Sequence, residues 1–286
     1  MARCLGEAAV ARQYRQRAGE SPKLAPTRVP GGVDVRGLTA RHWSLLMVLA
    51  THGPLHTGQV VTLMFGSRPA AVRYLTALVR ADLAWRFVYD NDSSHLAYYE
   101  VSTDGVAALK SRLQATGRPT PLGLGRPARG QLDASAFLVA LTRTSRENGS
   151  GHLYRWRRAT DTAMWLRDHG VGPVDVVGQG TWIEDGATVS FLLHVDCQPW
   201  KATNVSASMN LDGYRRANGV PATVILVVCA TTERQRCLHT ELTADPLPAR
   251  VATTTPDRLH EHGPAGPAWT VDATRPTVRL IDLARS

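Results

Sequence analysis

The sequence predicts an α/β protein built in two units, and three features of its 286 residues carry that prediction. Between Leu38 and Ala115, three short stretches with helical apolar spacing precede two alternating, aromatic-rich runs and a fourth helical stretch. Between Thr116 and Gly130 the composition shifts to Gly, Pro and Arg, as in a linker. From Gln131 onward, helical stretches alternate with two strongly apolar runs, Thr188–Asp196 and Ala222–Cys229. Continuous apolar runs of that length suit strands buried on both faces.

In the first unit, Thr39 is placed to cap a helix carrying Trp43, Leu46, Met47 and Ala50, which Gly53-Pro54 stops. Thr57 is placed to cap a second helix with Val60, Val61 and Met64 as its stripe, ending at Gly66. Ser67 opens a third, with Ala71, Val72, Leu75, Leu78 and Val79 expected inward. Arg73, Thr76 and Arg80 then fall on the opposite face, with Arg68 at its start. Trp85, Phe87 and Tyr89 alternate, as do Leu96, Tyr98 and Glu100, around the turn residues Asn91–Ser94. Reading Trp85 and Phe87 as core-facing turns Arg86 outward. Thr103-Asp104-Gly105 opens a fourth helix that runs to about Ala115. Three helices followed by a hairpin is the order of a winged helix-turn-helix. Its third helix reads the major groove, where guanidinium groups take phosphates or a guanine edge. Arg68, Arg73, Thr76, Arg80 and Arg86 are therefore the candidate DNA contacts. The plainer alternative is that the same arginines form a solvated face.

The domain plan that follows is a basic flexible arm over 1–37, a winged helix over 38–116, a linker over 117–130 and a mixed α/β domain over 131–286. Arg12, Arg15 and Arg17 give the arm its charge. A net charge of +9 favours a polyanionic partner. Only three of the 33 basic residues are lysine, at 23, 110 and 201, so arginine is this chain's default cation and each one is weaker evidence by itself. Cys4, Cys197, Cys229 and Cys237 show no C-x-x-C spacing. No apolar run is long enough to span a membrane, and the N-terminus shows no secretory pattern. The expectation is a cytoplasmic protein with reduced thiols.

The second unit reads as a helix over Asp133–Glu147, a strand over Leu153–Arg158, a helix over Thr160–His169 stopped by Gly170, and a short strand over Pro173–Val177. Glu184-Asp185-Gly186 makes a tight turn before the strand Thr188–Asp196, and a helix over Thr203–Ala217 leads to the strand Ala222–Cys229. An acid in an early strand and a short polar motif in a later one follow the plan of PD-(D/E)-x-K nucleases. There, two carboxylates hold Mg²⁺ and a lysine assists water near the scissile phosphate. The corresponding residues are Asp175, Asp196 and Lys201 as catalytic candidates, and Asp175, His194 and Asp196 as metal ligands. Mg²⁺ or Mn²⁺ is implied only if the domain cuts DNA; otherwise no cofactor is expected. Strand-end acids making local hydrogen bonds are the plainer alternative. His260-Glu261-His262 lies in a Pro/Gly-rich segment and reads as a loop.

Taken together, the chain resembles the replication-relaxation family of actinobacterial proteins found on plasmids and mobile elements. The resemblance spans about Leu38 to Cys229. It rests on Leu38-Thr39 with Leu46 and Leu49, Ser67 with Arg73-x-Leu75 and Leu78, Tyr98–Ser102, and Thr103-x-Gly105. It continues in Leu153-x-x-Trp156, Pro173-x-Asp175, Phe191 to Asp196, and Asn210-Leu211-x-x-Tyr214. The family pattern has Glu where His194 stands and Lys where Asn210 stands, and both departures remove groups that a metal-dependent nuclease uses. The resemblance implies a protein of plasmid or mobile-element replication, maintenance or transfer. It would bind double-stranded DNA through the winged helix and carry a nuclease-like domain. With those departures the domain is expected to be inactive and to serve a homodimer or contact with other replication or transfer proteins. A Mg²⁺-dependent endonuclease or nickase and a winged-helix transcription regulator are the alternatives.

Overall fold

The computed structural model describes residues 37–88, 96–120, 131–149, 151–196, 204–217, 219–272 and 276–284. The arm, the Asn91–Ser94 turn, most of the linker, Cys197 and Lys201 lie outside the described residues. Two compact units divide between Ser135 and Ala136. Among the described residues no helix is long and apolar enough to cross a membrane.

The first unit runs α1 (Ala40–His52), β1 (Leu55–His56), α2 (Thr57–Met64), α3 (Arg68–Arg80), β2 (Ala84–Val88), β3 (Ala97–Val101) and α4 (Thr103–Ala115). Its small antiparallel sheet is ordered β1-β3-β2. This is a winged helix, with β2 and β3 as the wing. Thr39 is the N-cap of α1, and its backbone N–H donates to Nδ1 of His42 at 3.1 Å. Gly53 ends the helix at φ 73°, which a side chain would resist.

The second helix differs from expectation. His56, not Thr57, is its N-cap: His56 Nδ1 accepts from the Gly58 N–H at 3.1 Å, and the His56 N–H donates to Gln59 at 3.0 Å. Pairing of His56 with Tyr98 holds this residue extended, so the helix can start only after it.

Leu45, Leu46, Leu49, Val60, Ala71, Leu75, Leu78, Leu109 and Leu113 fill the core. The wing enters that core by the face opposite to the one expected. Ala84, Tyr99 and Val101 are buried in it, while Trp85 is 40% exposed. On the outer face Phe87 stacks with Tyr98, whose ring also meets His56 edge-on. Gly105 sits where α4 crosses the chain before β2; a Cβ there would lie 2.1 Å from the Leu83 carbonyl oxygen.

The second unit takes most of α5 (Gln131–Asn148), then β4 (Gly151–Arg158), α6 (Ala159–Asp168), β5 (Gly178–Glu184), β6 (Ala187–Val195), α7 (Val205–Ser208), α8 (Asp212–Arg215), β7 (Val224–Val228), α9 (Thr232–Ala244), β8 (Arg250–Thr254) and α10 (Pro256–His262). The sheet is ordered β4-β5-β6-β7-β8. β4, β5 and β6 are antiparallel neighbours, and β7 and β8 are added in parallel. Asp185 and Gly186, both at positive φ, make the two-residue turn between β5 and β6. Every residue of β7 is buried, as its unbroken apolar run requires. Phe137, Trp156, Phe191 and Trp269 pack on one side of the sheet. Leu166, Leu192, Met209, Tyr214, Ile225 and Leu238 belong to a separate core.

Three further expectations are corrected. Pro173–Val177 is not a strand. The Gly172 N–H donates to the Gly213 carbonyl at 3.2 Å and the Asp175 N–H to the Met209 carbonyl at 3.2 Å, so this stretch spends its backbone on the helical segment beside it. That segment is not one helix over 203–217. Asn210 adopts φ 57° and breaks it into α7 and α8, and Gly213 lets the chain at Pro173 approach to a distance no Cβ would allow. The stretch His260–His262 is the end of helix α10, not a loop: Pro256 starts that helix after an extended Thr255, and Gly263 at φ 69° ends it.

Candidate nucleic-acid interface

α3 is the third helix of the winged unit, and its sequence explains its orientation. Ala71, Leu75 and Leu78 recur at helical spacing and are buried, so the helix is fixed by that stripe. Pro69 stands in its first turn, where a missing N–H costs nothing. Arg68, Arg73 and Arg80 are exposed, and Thr76 is half-buried. None of the three arginines makes an ion pair among the described residues. The Arg73 guanidinium lies 5.3 Å from the centroid of the Tyr74 ring. Tyr74 in turn meets His42 at 4.5 Å and Phe65 at 5.1 Å, so the exposed Arg73 guanidinium lies over a packed aromatic group. Burial and the Arg73 charge both lower the His42 pKa.

Val72, expected inward, is 39% exposed between the arginines. Helical periodicity alone misplaces it, because Val72 lies at the margin of a stripe whose centre is Leu75. Arg86 is exposed, but not for the reason expected: it shares the pleat face of buried Ala84 and lies opposite Tyr99, farther along the wing than the core extends.

Other arginines of this unit are engaged. Arg41 donates to the Met64 carbonyl at 2.9 Å and lies over Phe65, and Arg112 lies 4.7 Å from the Trp43 ring centroid.

The nuclease-type candidates are arranged differently. Asp175 is exposed on the loop before β5. His194 is fully buried in β6, and its Nε2 shares a hydrogen bond with the Tyr214 hydroxyl at 2.8 Å. Burial pushes the His194 pKa down to about 4, opposed by the Asp175 backbone acting as acceptor toward the imidazole. Burial also pushes the Tyr214 pKa upward. Asp196 is fully buried at the end of β6, and both of its carboxylate oxygens accept from Arg234 on α9, one through Nε and one through Nη2 at 2.9 Å. Arg234 also donates to the Ser208 hydroxyl at 3.3 Å. Among the described residues no three His, Cys, Asp or Glu side chains gather as a metal site would need. The Asp175 backbone thus lies beside His194, but the side chains of Asp175, His194 and Asp196 are not gathered as a three-ligand metal site among the described residues. Arg234 was missed because α9 lies beyond the last strand assigned from sequence. Its signal was a Thr231 cap followed by a buried position three residues on.

No family model matches the chain, and no curated protein matches it. Among solved structures, MarR from E. coli in complex with operator DNA is 15% identical over 39% of this chain and 66% of its own, with a TM-score of 0.27. The zinc-responsive MarR family member ZitR from Lactococcus lactis is 18% identical over 46% of this chain and 90% of its own, with a TM-score of 0.24. The chain thus covers just under two thirds of the MarR chain seen with DNA. At these scores the similarity carries no argument, and the winged-helix assignment stands on the element order and sheet described above.

Proposed function

We propose that this protein binds double-stranded DNA, with α3 in the major groove and the β2–β3 wing against the neighbouring backbone. The observation that carries the reading is the outward pair of Arg73 and Arg80 on the third helix of a winged helix, with Arg68 exposed at its start, all three without an ion pair among the described residues. Guanidinium groups held this way are free for phosphate oxygens or a guanine edge, and Thr76 for either kind of contact. Arg86 on the wing is the candidate for the adjacent phosphate. The winged-helix form fits DNA binding in general, transcription regulation included; replication, maintenance or transfer of a plasmid or mobile element is the role that the sequence resemblance adds. The nuclease-like reading of the second unit finds less support. Its best acid, Asp196, is fully buried with both oxygens bonded to Arg234, the arrangement of a structural ion pair.

Selection of bound sequences from a random duplex pool tests the reading. Wild type is expected to enrich a common site, and Arg73→Ala to bind that site about 1–3 kcal/mol more weakly. If wild type enriches nothing and binds no duplex at moderate salt, the reading fails.

A further inference from the structure

The five-stranded sheet of the second unit is covered unevenly. On one face of β4, β5 and β6, Trp156 and Phe191 pack with Phe137. On the other face, register puts Arg155 beside Thr181 and Thr181 beside Ser190, while Arg157 lies beside Gln179. Arg155 and Thr188 are exposed, and Thr181 and Ser190 are half-exposed. On this side Gln179, Leu192 and His194 are buried, Leu192 in the second core, and Arg157 is half-exposed; the end nearer the β5–β6 turn is an exposed surface of Arg155, Thr181, Thr188 and Ser190.

The edge of that surface is shaped as well. The register of β4 against β5 shifts between Leu153 and Arg155, leaving Tyr154 as the extra residue of a bulge. Tyr154 is 66% exposed, the highest value among the exposed large hydrophobic residues described. A bulge on an edge strand commonly re-aims a side chain.

The charge on this surface is only partly balanced. Arg155 makes no ion pair among the described residues; burial first and then the Arg155 charge lower the pKa of Arg157, and Asp161 opposes them. Asp161 is itself paired with Arg158 at 3.1 Å. Glu184, at the end of β5, is buried and bound by Trp182 and Arg279. Arg157 itself is held ready: it donates to Gln179 at 2.6 Å and lies over Trp165 at 5.1 Å. Two like charges two residues apart, flanked by hydroxyls, suit a ligand with repeated anionic oxygens. Phosphate contacts of this kind position a duplex and do not read its bases.

We propose that the turn-proximal end of the β4–β6 face, through exposed Arg155 and half-exposed Arg157 with Tyr154 at its rim, is a second DNA-binding surface that grips the sugar–phosphate backbone. This rests on the DNA-binding reading above and adds a contact independent of the winged helix.

The test uses the full chain and a labelled duplex, with affinity measured by anisotropy across a salt series. Arg155→Gln is expected to weaken binding roughly fivefold on every sequence and to lower the salt slope by about one. Thr188→Glu, which places a negative charge on the same face at an exposed position, is expected to weaken binding in the same sequence-independent way. Both sites are exposed, and unchanged thermal melts would establish that the fold is kept. If both variants keep wild-type affinity and slope while Arg73→Ala loses affinity, the second surface is overturned and the winged-helix reading stands. If wild type binds no duplex at all, both fall.

Discussion

Two sets of arginines, the exposed ones of α3 and the buried ones of the second unit, do opposite work. On α3, Arg68, Arg73 and Arg80 stand in water without an ion pair among the described residues, and the helix is held by Ala71, Leu75 and Leu78 instead. In the second unit Arg234 is 2% exposed and closes on Asp196, which is itself fully buried. Arg158, 4% exposed, is paired with Asp161. An exposed guanidinium keeps its hydration and has little effect on stability, so it remains available to a ligand. A buried one has lost its hydration and is tolerated only because a carboxylate and further acceptors replace it. Residue type alone therefore does not separate a binding surface from a structural pair; burial and partner do.

The comparison is sharpest where the buried pair is broken. Asp196→Ala or Arg234→Ala leaves one charge buried without its partner, and is expected to destabilise the second unit by about 3–5 kcal/mol in chemical denaturation. Replacing both residues with apolar side chains of similar volume is expected to recover most of that loss. A single variant that melts like wild type would mean that the pair is not held as described.

Acid is expected to have the next largest effect, through His194. Its pKa is depressed from 6.5 to about 4 by burial, so the folded protein resists a proton that the unfolded chain accepts. Stability from this group is complete above pH 6.5 and is lost as pH falls toward 4. By pH 4.5 the loss amounts to about 2–3 kcal/mol. Denaturation of wild type and His194→Gln at several pH values checks this; the variant is expected to lose less stability between neutral and acidic pH. Parallel pH profiles for the two proteins would remove His194 as the cause.

The exposed side of the comparison predicts small effects on folding. Arg73→Ala and Arg80→Ala are expected to change stability by no more than about 0.5 kcal/mol, whatever they do to DNA affinity. Asp175→Asn, on an exposed loop, is expected to be the mildest of all, within the same limit for stability and without effect on duplex affinity. A large stability loss in Arg73→Ala would place that side chain in the packing of Tyr74 and His42, not on a binding surface.

Local chemistry in the chain sufficed for much of this. The three helices, the hairpin and α4 of the winged unit follow from apolar spacing and caps, each resolved within a few residues of sequence. Leu75 and Leu78 are core because a helix brings them to one face, and Arg73 and Arg80 are exposed by the same rule. The turn at Asp185-Gly186 and the wholly buried β7 were also legible, one from its residues and the other from an unbroken apolar run. Features that depend on a partner far along the chain were not. Alternation along β2 fits two opposite faces equally well, and only packing of Ala84, Tyr99 and Val101 against the helices decided that Trp85 faces outward. Pro173–Val177 is apolar enough for a strand, but the Asp175 N–H is taken by the Met209 carbonyl and that of Gly172, just before it, by Gly213. Asp196 looks like a ligand for a metal until Arg234, 38 residues later, is folded against it. Periodicity and turn chemistry are properties of neighbours in sequence, so the sequence by itself determines them. Which face is covered, and which charge is neutralised, depends on residues brought together from distant parts of the chain, and the tertiary structure alone decides that.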